Sequence, residues 1–117
     1  MEKFSINTPL TGEYFTTVRL AVGGLCSLAG FDVDTAEDFK VCVTESLLIL
    51  KRNGFLSAAI DVTLGETLAC SIKGETLGGE KEDALEDEIS HALLSALLGS
   101  VDFKKDSERV VEIAFEG

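Results

Sequence analysis

Apolar and polar positions first alternate at Phe4, Ser5, Ile6 and Asn7, which predicts a short strand over Phe4 to Pro9, ended at a sheet edge by the proline. From Thr11 the period lengthens. Tyr14, Val18, Ala21, Val22, Leu25, Leu28 and Ala29 recur at steps of three and four, and Gly30 follows as a helix-ending glycine, so a first helix is expected over Gly12 to Ala29. Asp34-Thr35-Ala36-Glu37-Asp38 reads as a second helix start, with Asp34 or Thr35 capping and the acids complementing the first-turn dipole. Phe39, Cys42, Val43, Ser46, Leu47 and Leu50 form that helix's stripe and Gly54 ends it. Ala58 to Leu64 and Leu68 to Lys73, joined by Gly65-Glu66-Thr67, read as a hairpin. Gly74 to Asp83 reads as a loop. Leu85, Ile89, Ala92, Leu93, Ala96 and Leu97 then mark a third helix running to Leu98, with Gly99 after it. Ser100 to Lys104 and Arg109 to Phe115 close a second hairpin around Lys105-Asp106-Ser107. The order is β-α-α-β-β-α-β-β, an α+β fold: a two-layer sandwich of three helices on a largely antiparallel sheet, in one domain spanning residues 1–117.

Charge narrows the partners. Ten Lys and Arg face twenty-one Asp and Glu, a formal net charge of −11, which repels phosphate backbones and anionic lipid; neither a nucleic acid nor a membrane surface is an expected partner. At 45% the apolar fraction suffices for a core, and no apolar run approaches the roughly 20 residues of a membrane span. Cys26, Cys42 and Cys70 each sit in an apolar segment, where a reduced thiol packs as a small hydrophobe; this fits a reducing cytoplasm better than metal or redox chemistry.

Two stretches carry a resemblance. Val18-Arg19-Leu20-Ala21-Val22 through Ala29-Gly30-Phe31, and Ala36-Glu37-Asp38-Phe39-Lys40-Val41-Cys42-Val43-Thr44-Glu45-Ser46, together with the element order, resemble the Bergerat-fold ATPase domain of bacterial anti-sigma-factor serine kinases, in the GHKL superfamily. The resemblance implies a glutamate base on the second helix, matched by Glu45, and four residues later an asparagine holding magnesium against the nucleotide phosphates. Ile49 stands there instead and offers no oxygen to a hard cation. Asn53 lies four residues further, about 6 Å along the axis, and is expected to help Gly54 end the helix. The Asp-x-Gly-x-Gly signature implied for adenine falls on Gly74-Glu75-Thr76-Leu77-Gly78: Gly74 replaces the aspartate, Thr76 the first glycine, and Gly78 alone is retained. Alternation along a strand points Glu75 to the opposite face.

A last glycine motif, implied where backbone N–H groups meet phosphate, falls on Glu88-Ile89-Ser90-His91 and holds no glycine. Just before it, Glu80 to Glu88 sets six carboxylates against one lysine. Acids there stabilise a first helical turn or a solvated face, and their side chains would also repel a triphosphate.

Glu45 is the only candidate catalytic residue, and with no asparagine, metal or nucleotide it has nothing to activate. His91, the only histidine, falls at the flank of the third helix's stripe, as a boundary residue. No metal set is visible. Three functions remain open. The first is a non-catalytic protein-interaction domain without ATP or magnesium, whose partner by resemblance is a sigma factor or a STAS-type antagonist and whose first helix, with Tyr14, Phe15 and Arg19, offers a partner or homodimer surface. The second is an ATP-dependent serine kinase with divergent motifs. The third is a domain in which an emptied pocket, lined by Ile49 and its neighbours, binds an apolar small molecule.

Overall fold

The structure is a computed structural model and describes residues 2–81, 85–98 and 100–117. Eight elements follow in order: β1 (Glu2–Pro9), α1 (Gly12–Leu28), α2 (Val33–Arg52), β2 (Phe55–Leu64), β3 (Leu68–Leu77), α3 (Leu85–Leu98), β4 (Val101–Asp106) and β5 (Arg109–Glu116). The five strands make one antiparallel sheet in the order β1-β2-β3-β5-β4. The α+β arrangement is therefore the one the hydrophobic pattern predicts. No helix among the described residues is long and apolar enough to cross a membrane.

Strand alternation supplies one wall of the core. Ala58, Ile60 and Val62 on β2, Leu68, Cys70 and Ile72 on β3, and Ile113 and Phe115 on β5 are buried, while their neighbours Asp61, Ser71 and Ala114 form the other face. Against the buried face lie Val18, Val22, Leu25 and Cys26 of α1 and Phe39, Cys42, Val43, Leu47, Ile49 and Leu50 of α2. Phe39 sits at the centre of an aromatic chain, edge-on to Phe31 at 5.8 Å and to Phe115 at 5.3 Å between ring centroids. All three cysteines are buried and free. Burial pushes the Cys42 thiol up to about 12, and the Cys26 and Cys70 thiols are raised by the same cause.

The structure departs from the pattern at the starts of β1 and β2, which begin at Glu2 and Phe55 rather than Phe4 and Ala58, and at several further places. The cap of α2 is Asp32, not Asp34 or Thr35: its carboxylate accepts from the Thr35 N–H at 2.8 Å, because it stands three residues before the first unpaired donor within reach. The stretch from Gly74 to Leu77 continues β3, paired with β2 across a bulge near Ser57, where a loop was expected. The second hairpin turns at Ser107 and Glu108, with Ser107 in the left-handed region (φ 60°), one residue later than predicted. On α3 the buried side is carried by Ser90 and Leu94, with His91, Leu97 and Leu98 half-buried; Leu85, Ile89, Ala92 and Ala96, expected inside, are exposed. Gly99 and the loop residues 82–84 lie outside the described residues.

Candidate functional site

The site implied by the resemblance falls where the second half of α2 meets α3 and the far end of β3. Glu45, on the fourth turn of α2, is half-buried and faces α3. Its Oε2 accepts from the Ser90 hydroxyl at 2.6 Å, and that hydroxyl in turn accepts from Arg52 Nη2 at 2.6 Å. The Arg52 Nε donates to Asp87 Oδ1 at 2.7 Å, with both side chains more than four-fifths buried. The chain Asp87–Arg52–Ser90–Glu45 thus fastens α3 to α2 with charge-assisted bonds. A carboxylate expected to await a substrate proton is engaged by an internal hydroxyl. Ser90, Arg52 and Asp87 carry no local sequence signal, because their partners lie 35 to 45 residues away.

Ile49 is completely enclosed, at 0% exposure. Hydrophobicity explains the placement: full burial of such a side chain stabilises by about 1.5–3 kcal/mol. Ile49 is thus packed into the core with its neighbours Leu47 and Leu50 and shows no surface to solvent. The residues do not fit the magnesium site that the resemblance implies, since the position of the oxygen ligand is a hydrocarbon facing the core. Among the described residues no group of three His, Cys, Asp or Glu could hold a metal ion. Asn53 caps α2 and is fully buried; its Nδ2 donates to the Ile49 carbonyl at 2.8 Å and its Oδ1 accepts from the Val110 N–H at 3.0 Å. With its amide oxygen bonded to β5 and its amide nitrogen to α2, the residue fastens helix to sheet.

Each glycine of the adenine signature answers to a neighbour inside the chain. A Cβ on Gly74 would stand 2.5 Å from the ring of Phe55, so the buried ring rests directly on the bare backbone. A Cβ on Gly78 would collide with the Leu56 side chain. Gly54 takes the left-handed region (φ 95°) that ends α2, and its carbonyl accepts from the N–H groups of Gly78 at 3.0 Å and Gly79 at 2.9 Å; a Cβ there would run into the Gly79 carbonyl. The Gly74–Gly79 segment is thereby laid against the end of α2. Thr76 is exposed and its hydroxyl accepts from the Ser57 hydroxyl at 2.9 Å, and Glu75 is exposed next to the buried Gly74 as alternation requires. Phe55, like Arg52, Asp87 and Ser90, has no local sequence signal for its place at the site.

Of the acidic run, Glu80 and Glu88 are exposed and Asp87 turns inward to Arg52; Glu82, Asp83 and the side chain of Glu86 lie outside the described residues. His91 stacks flat on Phe103 of β4, with centroids 4.2 Å apart and planes at 4°. Desolvation lowers its pKa; Asp87 opposes that shift, and Lys105, Arg52 and Lys81 reinforce it. A boundary residue of this kind binds its proton less readily than a free imidazole.

No family model matches the chain. Curated proteins do. Over 54 residues, 46% of this chain, it is 32% identical to the serine-protein kinase RsbW of Listeria monocytogenes and to that of Listeria innocua. Over 63 residues, 54% of the chain, it is 25% identical to the serine-protein kinase RsbW of Bacillus cereus. The chain is a distant homologue of the RsbW serine-protein kinases. The matched stretches cover 34% and 39% of those relatives, so the likeness to RsbW reaches about half of this chain and little more than a third of theirs.

Proposed function

We propose that the chain is a protein-interaction and regulatory domain of the anti-sigma-kinase type that works without ATP or magnesium, its partner being a sigma factor or a STAS-type antagonist. The observation that carries this reading is the interior of the nucleotide site. Ile49 fills the ligand position from the core side, and the Phe55 ring occupies the space beside Gly74 from which an aspartate would reach adenine. Loss of an acceptor for a buried amino group costs about 1–3 kcal/mol in itself, and loss of the metal's oxygen ligand adds to it. The scaffold is kept, with Glu45 engaged by Ser90, and Tyr14 and Arg19 are exposed on α1 as surface for a partner or a second copy, with Phe15 half-buried between them in sequence.

A second reading, an ATP-dependent serine kinase with divergent motifs, draws on the activity in the relatives' name and on the retained Glu45. Melting the protein with and without excess Mg-ATP separates the two. A ligand that binds only the native state stabilises by about 2.7 kcal/mol at a hundredfold excess over its Kd, several degrees in Tm for a chain of this size. No shift is expected. A saturable rise that Glu45→Ala abolishes would overturn the ATP-free reading and favour the kinase reading.

A further inference from the structure

Helix α3 is apolar on two sides. Its inner side, Ser90 and Leu94 with His91, Leu97 and Leu98, faces α2 and β4. On its outer side Leu85 and Ile89 are 68% and 59% exposed, and Ala92, Ser95 and Ala96 continue the same face. The spacing 85, 89, 92, 96 draws one stripe along the helix. A helix apolar on both sides normally buries both. Leu85 and Ile89 give that stripe two anchors in its first half, and the alanines let a second backbone approach closely in its last half.

The charges around the stripe select its occupant. Between Leu85 and Leu98 the chain has Glu86, Asp87 and Glu88 and no Lys or Arg. Asp87 is turned to Arg52, whereas Glu88 is exposed beside the stripe and Glu80 is exposed just upstream. A second copy would bring another −11 and the same acids to this face. A helix carrying an apolar stripe bordered by Lys and Arg meets complementary charge and complementary shape. We infer that the outer face of α3 is the seat of a basic amphipathic helix of a partner protein, an inference that rests on the interaction-domain reading and adds to its α1 surface a second one, with the chemistry of the partner that fits it.

The test uses the full chain and a labelled helical model peptide with leucines at i, i+3, i+4 and i+7 and lysines flanking them, beside a counterpart with glutamates in place of the lysines. Fluorescence anisotropy measures affinity and amide chemical shifts locate the contact. The lysine peptide should bind with shifts concentrated on Leu85 to Ala96, and the glutamate peptide should not. Leu85→Ser/Ile89→Ser, at two exposed positions that carry no core packing, should weaken binding by at least about tenfold. Leu20→Ser, equally exposed on α1, should leave it unchanged. Equal binding by the double variant, shifts centred elsewhere, or equal affinity for the glutamate peptide would overturn the inference. So would self-association of the chain that the double variant abolishes. Stabilisation by Mg-ATP is read at another place in the fold and would overturn the interaction-domain reading alone.

Discussion

Ile49 and Asn53 stand one turn apart on α2 and are both completely buried, one among hydrocarbon and the other between two backbone partners. Returning the family's residue with Ile49→Asn removes buried apolar surface and leaves an amide without partners. A loss of about 3–5 kcal/mol in chemical denaturation is expected, with no affinity for Mg-ATP gained. Asn53→Ala deletes the link from α2 to β5 and strands the Val110 N–H, at a cost of about 1–3 kcal/mol by the same measurement. The cysteines give a pH signature. A thiol raised from 9.0 to about 12 in the native state binds its proton there more tightly than in the unfolded chain, so the stability contributed by Cys42 is complete below about pH 9 and declines as pH rises from 9 towards 12. Alkaline denaturation of Cys42→Ala should show a shallower decline over that window. His91 acts at the other end. Its lowered pKa makes stability present above about pH 6.5 fall away as pH drops through the folded value, and imidazole resonances followed by NMR should titrate below the free-histidine range. The absent oxygens at positions 49 and 74 could be read from the chain, since a missing atom needs no context. What replaced them could not. Phe55 meets Gly74, and Ser90 meets Glu45, across separations of 19 and 45 residues that leave no local trace.

At the scale of elements, all eight were legible in order and type because each carries a full period of its own: two residues on the strands, three to four on the helices. Their ends depended on single contacts. Asp32 caps α2 because its carboxylate meets the Thr35 N–H; Asp32→Ala should lower stability by about 1 kcal/mol, measurable as a fall in Tm and as faster amide exchange in the first turn. The end of β3 was hidden by its glycine, which reads as a loop residue and serves as a floor for Phe55. Helix α3 was the costliest misreading. Its residues offer two apolar faces, and periodicity cannot choose between them; the choice is made by polar residues, since Ser90 and Asp87 must lie inward to reach Glu45 and Arg52. Disrupting that clamp with Arg52→Met takes their arginine donor from the half-buried Asp87 carboxylate and the buried Ser90 hydroxyl. A loss of about 1–3 kcal/mol is expected, with hydrogen exchange rising first along α3.

For the whole molecule, the charge of −11 acts away from anionic ligands and towards protein surfaces of opposite sign. Gly54, Gly78 and Gly79 bring the end of β3 against the end of α2, and the network around Arg52 holds α3 in place. Homology to RsbW covers about half of this scaffold. The sharpest single measurement is a titration of the isotope-labelled full chain with Mg-ATP, followed through the amide resonances of Glu45, Ile49 and Gly74. Those signals should stay in place to saturating nucleotide. Movement of all three along one binding curve, reversed by removing magnesium, would place adenosine triphosphate in the fold and contradict the proposed function.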